Sequence, residues 1–482
     1  MPESRPVFLV LGILVAGLGA AMLVPMAVDA LLGSETWEAF AAGAFLCITL
    51  GLGVWSASRG AATLLNARQA VVMTVGSWVG LSAFAALPLY WSGITPTYTD
   101  AFFEAISGIT TTGSTVLSGL DEMPLGILLW RSMLQWIGGI GIIVMALAIL
   151  PMLHVGGMQL FKTEAKDMPD KILPRAQEIA GNLTLVYVGL TVVCALAYLV
   201  AGMDGPDAIM HAMTTLATGG YSSHDASFGY FDSAPIEMVS ITFMLLASLP
   251  FYLYVQAVRG QVRPFLRDTQ VWTFVLLMSA IIFLLWFDVW FVGLDPGLTG
   301  LRQVAFNTVS VVTTTGYASL DYEQWGPFAT SYFLVLMFLG GCSASTTGGI
   351  KTFRFQVLFQ ELRQQTNQLI WPHGVFAKRF NRQPLPDSVV SNVLSFLFLY
   401  IGAVFVLAIL LSLTGLDTLA AFSGALTAVS NVGPGLGPVI GPVGNFASLT
   451  DFAKWVLAFG MILGRLEVFT VLVLFVPAFW RN

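Results

Sequence analysis

The sequence predicts an all-α polytopic membrane protein, in which four repeated units surround a single central pore and two extra N-terminal transmembrane helices stand beside them. Three observations lead to this prediction. The 482 residues are 56% hydrophobic and only 10% charged, whereas soluble proteins are roughly 25% charged. Many apolar stretches are long enough to cross a hydrocarbon core of about 30 Å. A polar, glycine-bearing segment recurs four times between such stretches.

The first two spans form an accessory domain, residues 1–69. They run from Val7 to Leu32 and from Trp37 to Ala57. The first stretch is too long for the apolar region of a signal peptide, so we interpret it as a retained transmembrane helix. No glycine-bearing segment follows this pair, which is why we separate it from the repeats.

Each repeated unit contains a span, a short helix, the glycine-bearing segment and a second span. The units cover residues 70–180, 181–268, 269–385 and 386–482. With the accessory pair, two spans per unit give ten transmembrane helices. The predicted spans are Val71–Trp91 and Leu125–Leu150, Leu183–Ala201 and Pro235–Val258, Val271–Val292 and Pro327–Phe359, and Val389–Leu413 and Phe452–Phe475.

The short helices are too short to cross a membrane. They have 11 to 15 residues: Thr99–Ile109, Pro206–Ala217, Leu298–Val312 and Asp417–Val429. At about 1.5 Å per residue they reach roughly halfway through the core, so the chain must re-enter. Irregular backbone at this depth is tolerated only where it is buried in protein or lines water. Four such segments therefore predict one shared aqueous pathway.

We call the four glycine-bearing segments strips, and we predict that they form a cation filter. The alignment places Gly113, Gly219, Gly316 and Gly433 at equivalent positions, 106, 97 and 117 residues apart. Backbone carbonyls can replace the hydration shell of an ion, and the negative C-terminal end of each short helix faces its strip. No strip contains Asp or Glu, which favours a weakly hydrated monovalent cation. The filter residues are Thr110, Thr111, Thr112 and Gly113; Leu216, Ala217, Thr218 and Gly219; Thr313, Thr314, Thr315 and Gly316; and Ser430, Asn431, Val432 and Gly433. The alternative is that each strip is an ordinary re-entrant or surface turn, which fourfold recurrence disfavours.

The distribution of charge predicts the orientation in the membrane, because cytoplasmic loops are enriched in Lys and Arg. The connections between units hold Lys162, Lys166, Lys171, Arg175, Arg259, Arg263, Arg267, Lys351, Arg354, Arg363, Lys378, Arg379 and Arg382. The segments around the strips instead carry Asp121, Glu122, Asp204, Asp207, Asp225, Asp232, Asp295, Asp321 and Glu323. We therefore expect the strips to face outside and both termini to be cytoplasmic.

A polar loop interrupts the second span of unit three. It begins and ends with glycine pairs, which together with the hydroxyl side chains between them disfavour a continuous helix. We predict a flexible intramembrane gate, formed by Gly340, Gly341, Ser343, Ser345, Thr346, Thr347, Gly348 and Gly349. The alternative is a glycine-rich helix-packing face.

Arg465 is the second gate candidate. It lies near the middle of the last predicted span, where a charge costs at least about 2.5–3.5 kcal/mol and usually faces a pathway or a partner. The alternative is a purely structural arginine, which is how we interpret Arg131 and Arg302. Glu467 is two residues further on and is expected to point elsewhere on the helix.

The four strips resemble those of the superfamily of potassium transporters that contains Trk, Ktr and plant HKT proteins, and they are most similar to its bacterial TrkH branch. The segments that carry the resemblance are Thr-Thr-Thr-Gly-Ser-Thr (110–115), Ala-Thr-Gly-Gly-Tyr-Ser (217–222), Thr-Thr-Thr-Gly-Tyr-Ala (313–318) and Ser-Asn-Val-Gly-Pro-Gly-Leu-Gly (430–437). The resemblance covers essentially the whole chain, including the first two spans. In that superfamily, glycine in all four strips goes with potassium selectivity, and serine in the first goes with sodium permeation.

The resemblance implies potassium uptake across the cytoplasmic (inner) membrane, with K⁺ as the transported ligand and no organic cofactor in this chain. It implies K⁺ contacts at Thr111, Thr112, Ala217, Thr218, Thr314, Thr315, Asn431 and Val432. It also implies that the 340–349 loop opens and closes the path, with Arg465 as a positive barrier. The expected partners are the lipid bilayer, a second copy of the chain, and cytosolic TrkA-like subunits that bind NAD(H) or ATP; nucleic acid is not expected.

The main alternative is a secondary symporter coupled to H⁺ or Na⁺ that works by alternating access. Such carriers usually contain inverted repeats, whereas these four units place their strips on the same side. An enzyme is not expected, because no nucleophile–base set is apparent. The cysteines and histidines lack the spacing of a disulfide framework or a metal site; they are Cys47, Cys194, Cys342, His154, His211, His224 and His373.

Overall fold

The computed structural model describes residues 5–60, 66–148, 172–292, 297–381 and 383–481. Within these ranges seven helices are long and apolar enough to cross a membrane, or up to nine if each of two sharply bent helix pairs is one span. The protein is thus a mainly helical, multi-pass membrane protein. Predicted topology residues Lys162, Lys166, Lys171, Asp295 and Arg382 lie outside the described residues.

The accessory pair is a close helical hairpin of α1 (Arg5–Leu32) and α2 (Trp37–Ala57). A side-chain carbon on Gly51 would overlap the backbone of Ala16, so the glycine is what lets the two helices approach. Asp29 is buried near the end of α1. Its carboxylate accepts a hydrogen bond from the backbone N–H of Gly126, 2.7 Å away, and so joins the hairpin to unit one.

The four units follow in order, each with a short helix between two longer segments. Unit one contains α3 (Ala67–Ala85), α4 (Leu87–Trp91), α5 (Tyr98–Ile109) and α6 (Leu125–Ala148). Unit two contains α7 (Ile172–Val200), α8 (Gly205–Leu216), α9 (Ala234–Ala247), α10 (Phe251–Val258) and α11 (Arg263–Arg267). Unit three contains α12 (Thr269–Phe291), α13 (Leu298–Val312), α14 (Pro327–Leu336) and α15 (Thr352–Ile370). Unit four contains α16 (Asp387–Ser412), α17 (Thr418–Ser430), α18 (Asp451–Arg465), α19 (Val468–Leu472) and α20 (Pro477–Arg481).

The remaining elements are small. Four 3₁₀ turns occupy Leu120–Glu122, Ser227–Tyr230, Tyr322–Trp325 and Val473–Phe475. A short antiparallel hairpin pairs β1 (Arg379–Phe380) with β2 (Gln383–Pro384). Side chains cap two of the four short helices: Thr97 accepts from the Asp100 N–H before α5, and Asp417 accepts from the Ala420 N–H before α17.

Three of the four second spans are broken, and two of these were predicted as continuous. In unit two, α9 and α10 meet at 92° around Pro250, whose ring cannot continue the helical hydrogen-bond ladder. In unit four, α18 and α19 meet at 117°, because the backbone of Glu467 is left-handed, with φ 64°. In unit three the helix ends at Leu336 and resumes at Thr352. The break in unit three contains the polar loop at 340–349. The predictions of continuous helices over 235–258 and 452–475 were wrong, because Pro250 and Glu467 interrupt them.

Candidate functional site

The four short helices end in the same backbone turn. At the end of each helix one residue has a left-handed backbone. These residues are Thr111, Thr218, Thr314 and Asn431, with φ of 51°, 49°, 56° and 55°. Two residues later comes a left-handed glycine: Gly113, Gly220, Gly316 or Gly433, with φ of 89°, 79°, 84° and 114°. Side chains other than glycine rarely adopt this region, so its fourfold recurrence identifies equivalent positions directly.

These angles correct the predicted register of the second strip by one residue. The N–H groups of Thr112, Gly219, Thr315 and Val432 each donate to the carbonyl five residues earlier, which makes Gly219 equivalent to Thr112 and Gly220 equivalent to Gly113. The second strip is therefore Ala217–Gly220, and Leu216 is the last residue of α8. Two adjacent glycines made the alignment ambiguous, but the Gly-Tyr pairs at 220–221 and 316–317 were a signal that could have resolved it.

The four strips close into a ring in the order one, two, three, four. A side-chain carbon on Gly113 would overlap the carbonyl oxygen of Gly219, one on Gly220 would overlap that of Thr315, and one on Gly316 would overlap that of Val432. The circle closes because a side-chain carbon on Gly433 would lie 3.0 Å from the carbonyl oxygen of Thr112. Each glycine thus faces a carbonyl of the next strip, and the backbones meet around one axis.

Several threonine hydroxyl groups beside the ring hydrogen-bond to one another. The hydroxyls of Thr110 and Thr112 lie 2.7 Å apart, and those of Thr313 and Thr315 lie 2.8 Å apart. The Asn431 side-chain amide donates to the Thr112 hydroxyl at 2.9 Å and so links strip four to strip one. The Thr111 hydroxyl is buried with no hydrogen-bond partner among the described residues.

A buried ion pair links the segments that follow strips one and two. The Arg131 guanidinium donates to the Glu104 carboxylate at 2.8 Å and to the Ser222 carbonyl at 2.8 Å. Glu104 also accepts from the Thr115 hydroxyl at 3.0 Å and the Val116 N–H at 2.9 Å. This pair lies within the site's framework, in keeping with the structural role predicted for Arg131. Sequence reasoning did not identify Glu104, although a glutamate inside an apolar short helix was a visible signal.

The polar loop of unit three lies directly against two strips. The N–H of Gly348 donates to the Thr314 hydroxyl at 2.7 Å, and the N–H of Gly349 donates to the Ser430 carbonyl at 2.8 Å. Arg465 donates to the Thr346 carbonyl at 2.9 Å, while its Nε and Nη2 atoms are buried with no partner among the described residues. The two gate candidates, far apart in sequence, are therefore in contact.

Only a small space separates these groups. A cavity of about 30 Å³ lies between the loop, α16 and the break in the last span, with Lys351 and Arg465 in its wall. The Lys351 ammonium donates to the Thr347 carbonyl at 2.5 Å. A volume this small holds about one water molecule, so the loop and the arginine fill the region behind the ring.

Glu467 has a partner that the continuous-helix prediction had missed. Because α18 ends at Arg465, the Glu467 side chain turns toward α15 and accepts from Arg354 at 2.6 Å. The Arg354 guanidinium also stacks 3.5 Å from the centre of the Phe396 ring. The ion pair ties the helix after the loop to the break in the last span.

The opposite face of the ring opens into a polar pocket of about 240 Å³, lined by residues that include Gly113, Gly220, Gly316 and Gly433. Beside it, His224 lies between two carboxylates: its Nδ1 is 2.5 Å from Asp121 and its Nε2 is 2.9 Å from Asp207. Burial alone lowers the pKa of His224, but the hydrogen bonds and charges of Asp207 and Asp121 outweigh it and raise the pKa above its usual value. The hydrogen bond from His224 in turn lowers the pKa of Asp121.

Comparison with known proteins gives one consistent answer. The family model "TrkH: Cation transport protein" matches residues 37–482. The chain is 48% identical to the Trk system potassium uptake protein TrkI of Halomonas elongata over 99% of this chain and 97% of the relative. It is 38% identical to TrkH of Escherichia coli, with 99% of both chains covered. The crystal structure of the potassium transporter TrkH from Vibrio parahaemolyticus superposes with a TM-score of 0.91 at 35% identity, covering 99% of this chain and all of that one.

Proposed function

The chain belongs to the TrkH family of cation transport proteins, and from this we propose that it carries K⁺ into the cell through the ring of four strips. Its relatives are named for potassium uptake, which is a transport function and not an enzymatic one. We propose a channel-like path, with K⁺ as the transported ion and no organic cofactor.

The observation that carries this proposal is the interlocked ring of glycines and carbonyls. Carbonyl dipoles can replace the water around a dehydrated cation. No strip contributes a carboxylate, so a divalent ion would lack the formal charge that it prefers. We assign the K⁺ contacts to the backbone at Thr111, Thr112, Thr218, Gly219, Thr314, Thr315, Asn431 and Val432, which moves the contacts predicted in the second strip by one residue.

We further propose that the 340–349 loop and Arg465 form the gate. The loop donates hydrogen bonds to strips three and four, and Arg465 holds it through the Thr346 carbonyl. A positive charge next to the path raises the energy of a passing cation. In this arrangement the path is closed, and opening requires the loop and the arginine to move together.

The topology follows from the same proposal. We count each bent pair as one span, which with the seven long helices makes nine among the described residues, and we assign the tenth to α14, the loop and α15. The ring's pocket then faces outside, with both termini in the cytoplasm and the chain in the inner membrane. We propose that the chain is a homodimer and that cytosolic TrkA-like subunits, which bind NAD(H) or ATP, contact the cytoplasmic segment 351–382.

A symporter driven by H⁺ or Na⁺ is the second candidate. Buried carboxylates are present, but Asp100 is paired with Lys454 at 2.6 Å and Glu104 with Arg131 at 2.8 Å. The first pair joins α5 to α18 and the second joins α5 to α6, which favours a supporting role over a proton relay. The pore therefore remains the better supported proposal.

Rb⁺ uptake into liposomes that contain the purified protein tests the pore proposal. Wild-type uptake should be blocked by external K⁺ and not by Na⁺. In Gly113→Ser the new side chain overlaps the Gly219 carbonyl, so the discrimination should fall by about tenfold or more. Gly119→Ser is the matched control, because Gly119 is also left-handed but has open space around it. Equal block by K⁺ and Na⁺ in the wild type would contradict the proposal.

Arg465→Ala tests the gate. Removing the charge and its hydrogen bond to Thr346 should raise the Rb⁺ uptake rate by about tenfold or more, since a buried like charge next to the path should raise the barrier for a cation by about 1.4 kcal/mol or more. Arg302→Ala is the control, because Arg302 pairs with Glu237 in the frame of units two and three. An uptake rate that does not rise in Arg465→Ala would remove Arg465 from the gate.

A further inference from the structure

The carbonyl groups of Thr112, Gly219, Thr315 and Val432 occupy equivalent positions in the four strips. Among the described residues, only Gln135 donates a side-chain hydrogen bond to one of these four carbonyls. It lies on α6 and is fully buried. Its Nε2 donates to the Gly219 carbonyl at 2.6 Å, and its Oε1 accepts from the Tyr221 N–H at 3.1 Å. The Gln135 amide therefore hydrogen-bonds to the backbone on both sides of Gly220.

The second strip is also the one that lacks a side chain at this level. Thr112 and Thr315 bond to the hydroxyl two residues earlier, and Val432 supplies an apolar side chain. At Gly219 a side-chain carbon would overlap Cδ and Oε1 of Gln135. Gln135 thus occupies the space that the side chain of residue 219 would need, and it brings a hydrogen-bond donor into that space.

Close packing fixes α6 in this position. A side-chain carbon on Gly138 would overlap the Ile109 carbonyl at the end of α5. In unit four, Gly464 meets the Val429 carbonyl in the same way, and Ile109 and Val429 are equivalent because each precedes its left-handed residue by two. Counting back three residues from each glycine places Met461 where Gln135 stands in unit one. Units one and four therefore present an amide and a thioether at the same position.

We infer that Gln135 is a positioning residue that sets ion discrimination through the Gly219 carbonyl. This inference rests on the proposed function, in which that carbonyl is a K⁺ contact. Donation from Nε2 fixes the orientation of the carbonyl, and the partial positive charge of the donor hydrogen offsets part of the attraction that the carbonyl oxygen has for a cation. The ring then has one restrained, weaker carbonyl among four, and it resists the contraction that a smaller cation such as Na⁺ needs.

Gln135→Met tests the inference, because it keeps the length of the side chain, removes the donor and installs the residue found in unit four. With Rb⁺ uptake and competing K⁺ or Na⁺, the K⁺ over Na⁺ block ratio should fall roughly three- to tenfold, the range expected for one hydrogen bond. Ser82→Ala, which removes a buried hydrogen bond to the Trp78 carbonyl on α3, should leave the ratio unchanged.

The outcomes separate this inference from the function it depends on. A wild-type ratio that favours K⁺ and is unchanged in Gln135→Met, with normal folding, would overturn the role of Gln135 and leave the pore intact. A ratio that falls in Ser82→Ala as much as in Gln135→Met would also overturn it, because a general loss of packing would then explain the change. Absence of K⁺ preference in the wild type would instead overturn the proposed function itself.

Discussion

At the residue scale, the ring depends on backbone angles that only a few residue types adopt. Thr111, Thr218 and Thr314 are left-handed although they are β-branched, which costs of order 1–3 kcal/mol each. The surrounding short helices and the hydrogen bonds from strip to strip must supply that energy. Strained backbone of this kind concentrates at functional sites, which agrees with the role we propose for the strips.

The corrected register of strip two predicts different outcomes for two adjacent glycines. In Gly220→Ala the new carbon overlaps the Thr315 backbone and the angle is left-handed, so we expect at least a tenfold loss of K⁺-selective uptake from about 1–3 kcal/mol of strain or more. In Gly219→Ala the carbon meets the end of the Gln135 side chain, which can move, so the loss should be smaller. Rb⁺ uptake at equal amounts of folded protein measures both, and a larger defect in Gly219→Ala would favour the original alignment.

His224 predicts a pH-dependent contribution to stability. Because the folded protein raises the pKa of His224 above the ordinary value of 6.5, its stabilisation is fully present below pH 6.5 and is lost as pH rises through the raised pKa. The melting temperature of His224→Gln should therefore lie furthest below that of the wild type under acidic conditions. The difference should shrink as pH rises from about 5 to about 9. A difference that grows with pH would contradict the assigned charges.

At the scale of elements, the breaks in the second spans bring distant groups together. The left-handed turn at Glu467 directs this side chain toward Arg354, and the interruption after Leu336 sends the polar loop beneath the strips. Had either helix continued, Arg465 and Thr346 would lie on two separate helices and would not form their hydrogen bond. The gate candidates are therefore a property of helix ends, where backbone groups are free to make new hydrogen bonds.

The Arg354–Glu467 pair should be a strong structural link between α15 and the last span. Both side chains are almost fully buried, so Arg354→Met should lower the free energy of unfolding by about 3–5 kcal/mol, because it removes the cation that faces a buried carboxylate. Glu467→Gln should lower it by less, because the Arg354 guanidinium keeps its contact with the Phe396 ring. The double variant should lose less than the sum of the two. Thermal unfolding in detergent measures this, with Lys378→Met as the control, since Lys378 bridges Glu361 and the exposed Asp387 in the connection after α15 and surface pairs contribute about 0–1 kcal/mol each. Additive losses would mean that the two groups do not interact.

At the scale of the whole molecule, the accessory hairpin and the four units form one frame around the ring. Asp29 links α1 to the start of α6, and Gly138 of α6 packs against the end of α5. Displacement of the hairpin would therefore shift α6 and, with it, the backbone of strips one and two. The first two helices, although they carry no strip, belong to the support of the site.

The proposed orientation predicts which surface cysteines can be labelled from each side. The three native cysteines are buried, so single added cysteines should report without background. Val443→Cys, an exposed position beside the ring's pocket, should react with a membrane-impermeant thiol reagent on intact cells. Val375→Cys, exposed between α15 and β1, should react only after permeabilisation, and the reverse pattern would invert the topology.

The sequence by itself determined the membrane class, the first two spans, the four short helices with their strips, and the family. These features are local: apolar length, glycine and threonine composition and a fourfold recurrence can all be read along the chain. The same evidence identified the 340–349 loop and Arg465 as unusual, because polar and charged groups inside apolar stretches are costly.

Only the tertiary structure decided which groups meet. The register of strip two required backbone angles, because Gly219 and Gly220 have identical side chains. The bends around Pro250 and Glu467 depend on turns that hydropathy does not encode. The Arg354–Glu467 ion pair and the hydrogen bond from Gln135 to the Gly219 carbonyl join residues that are far apart in sequence. Contacts of this kind arise when helices pack, and their energy is a property of the packed state, so no single segment of the chain contains the information.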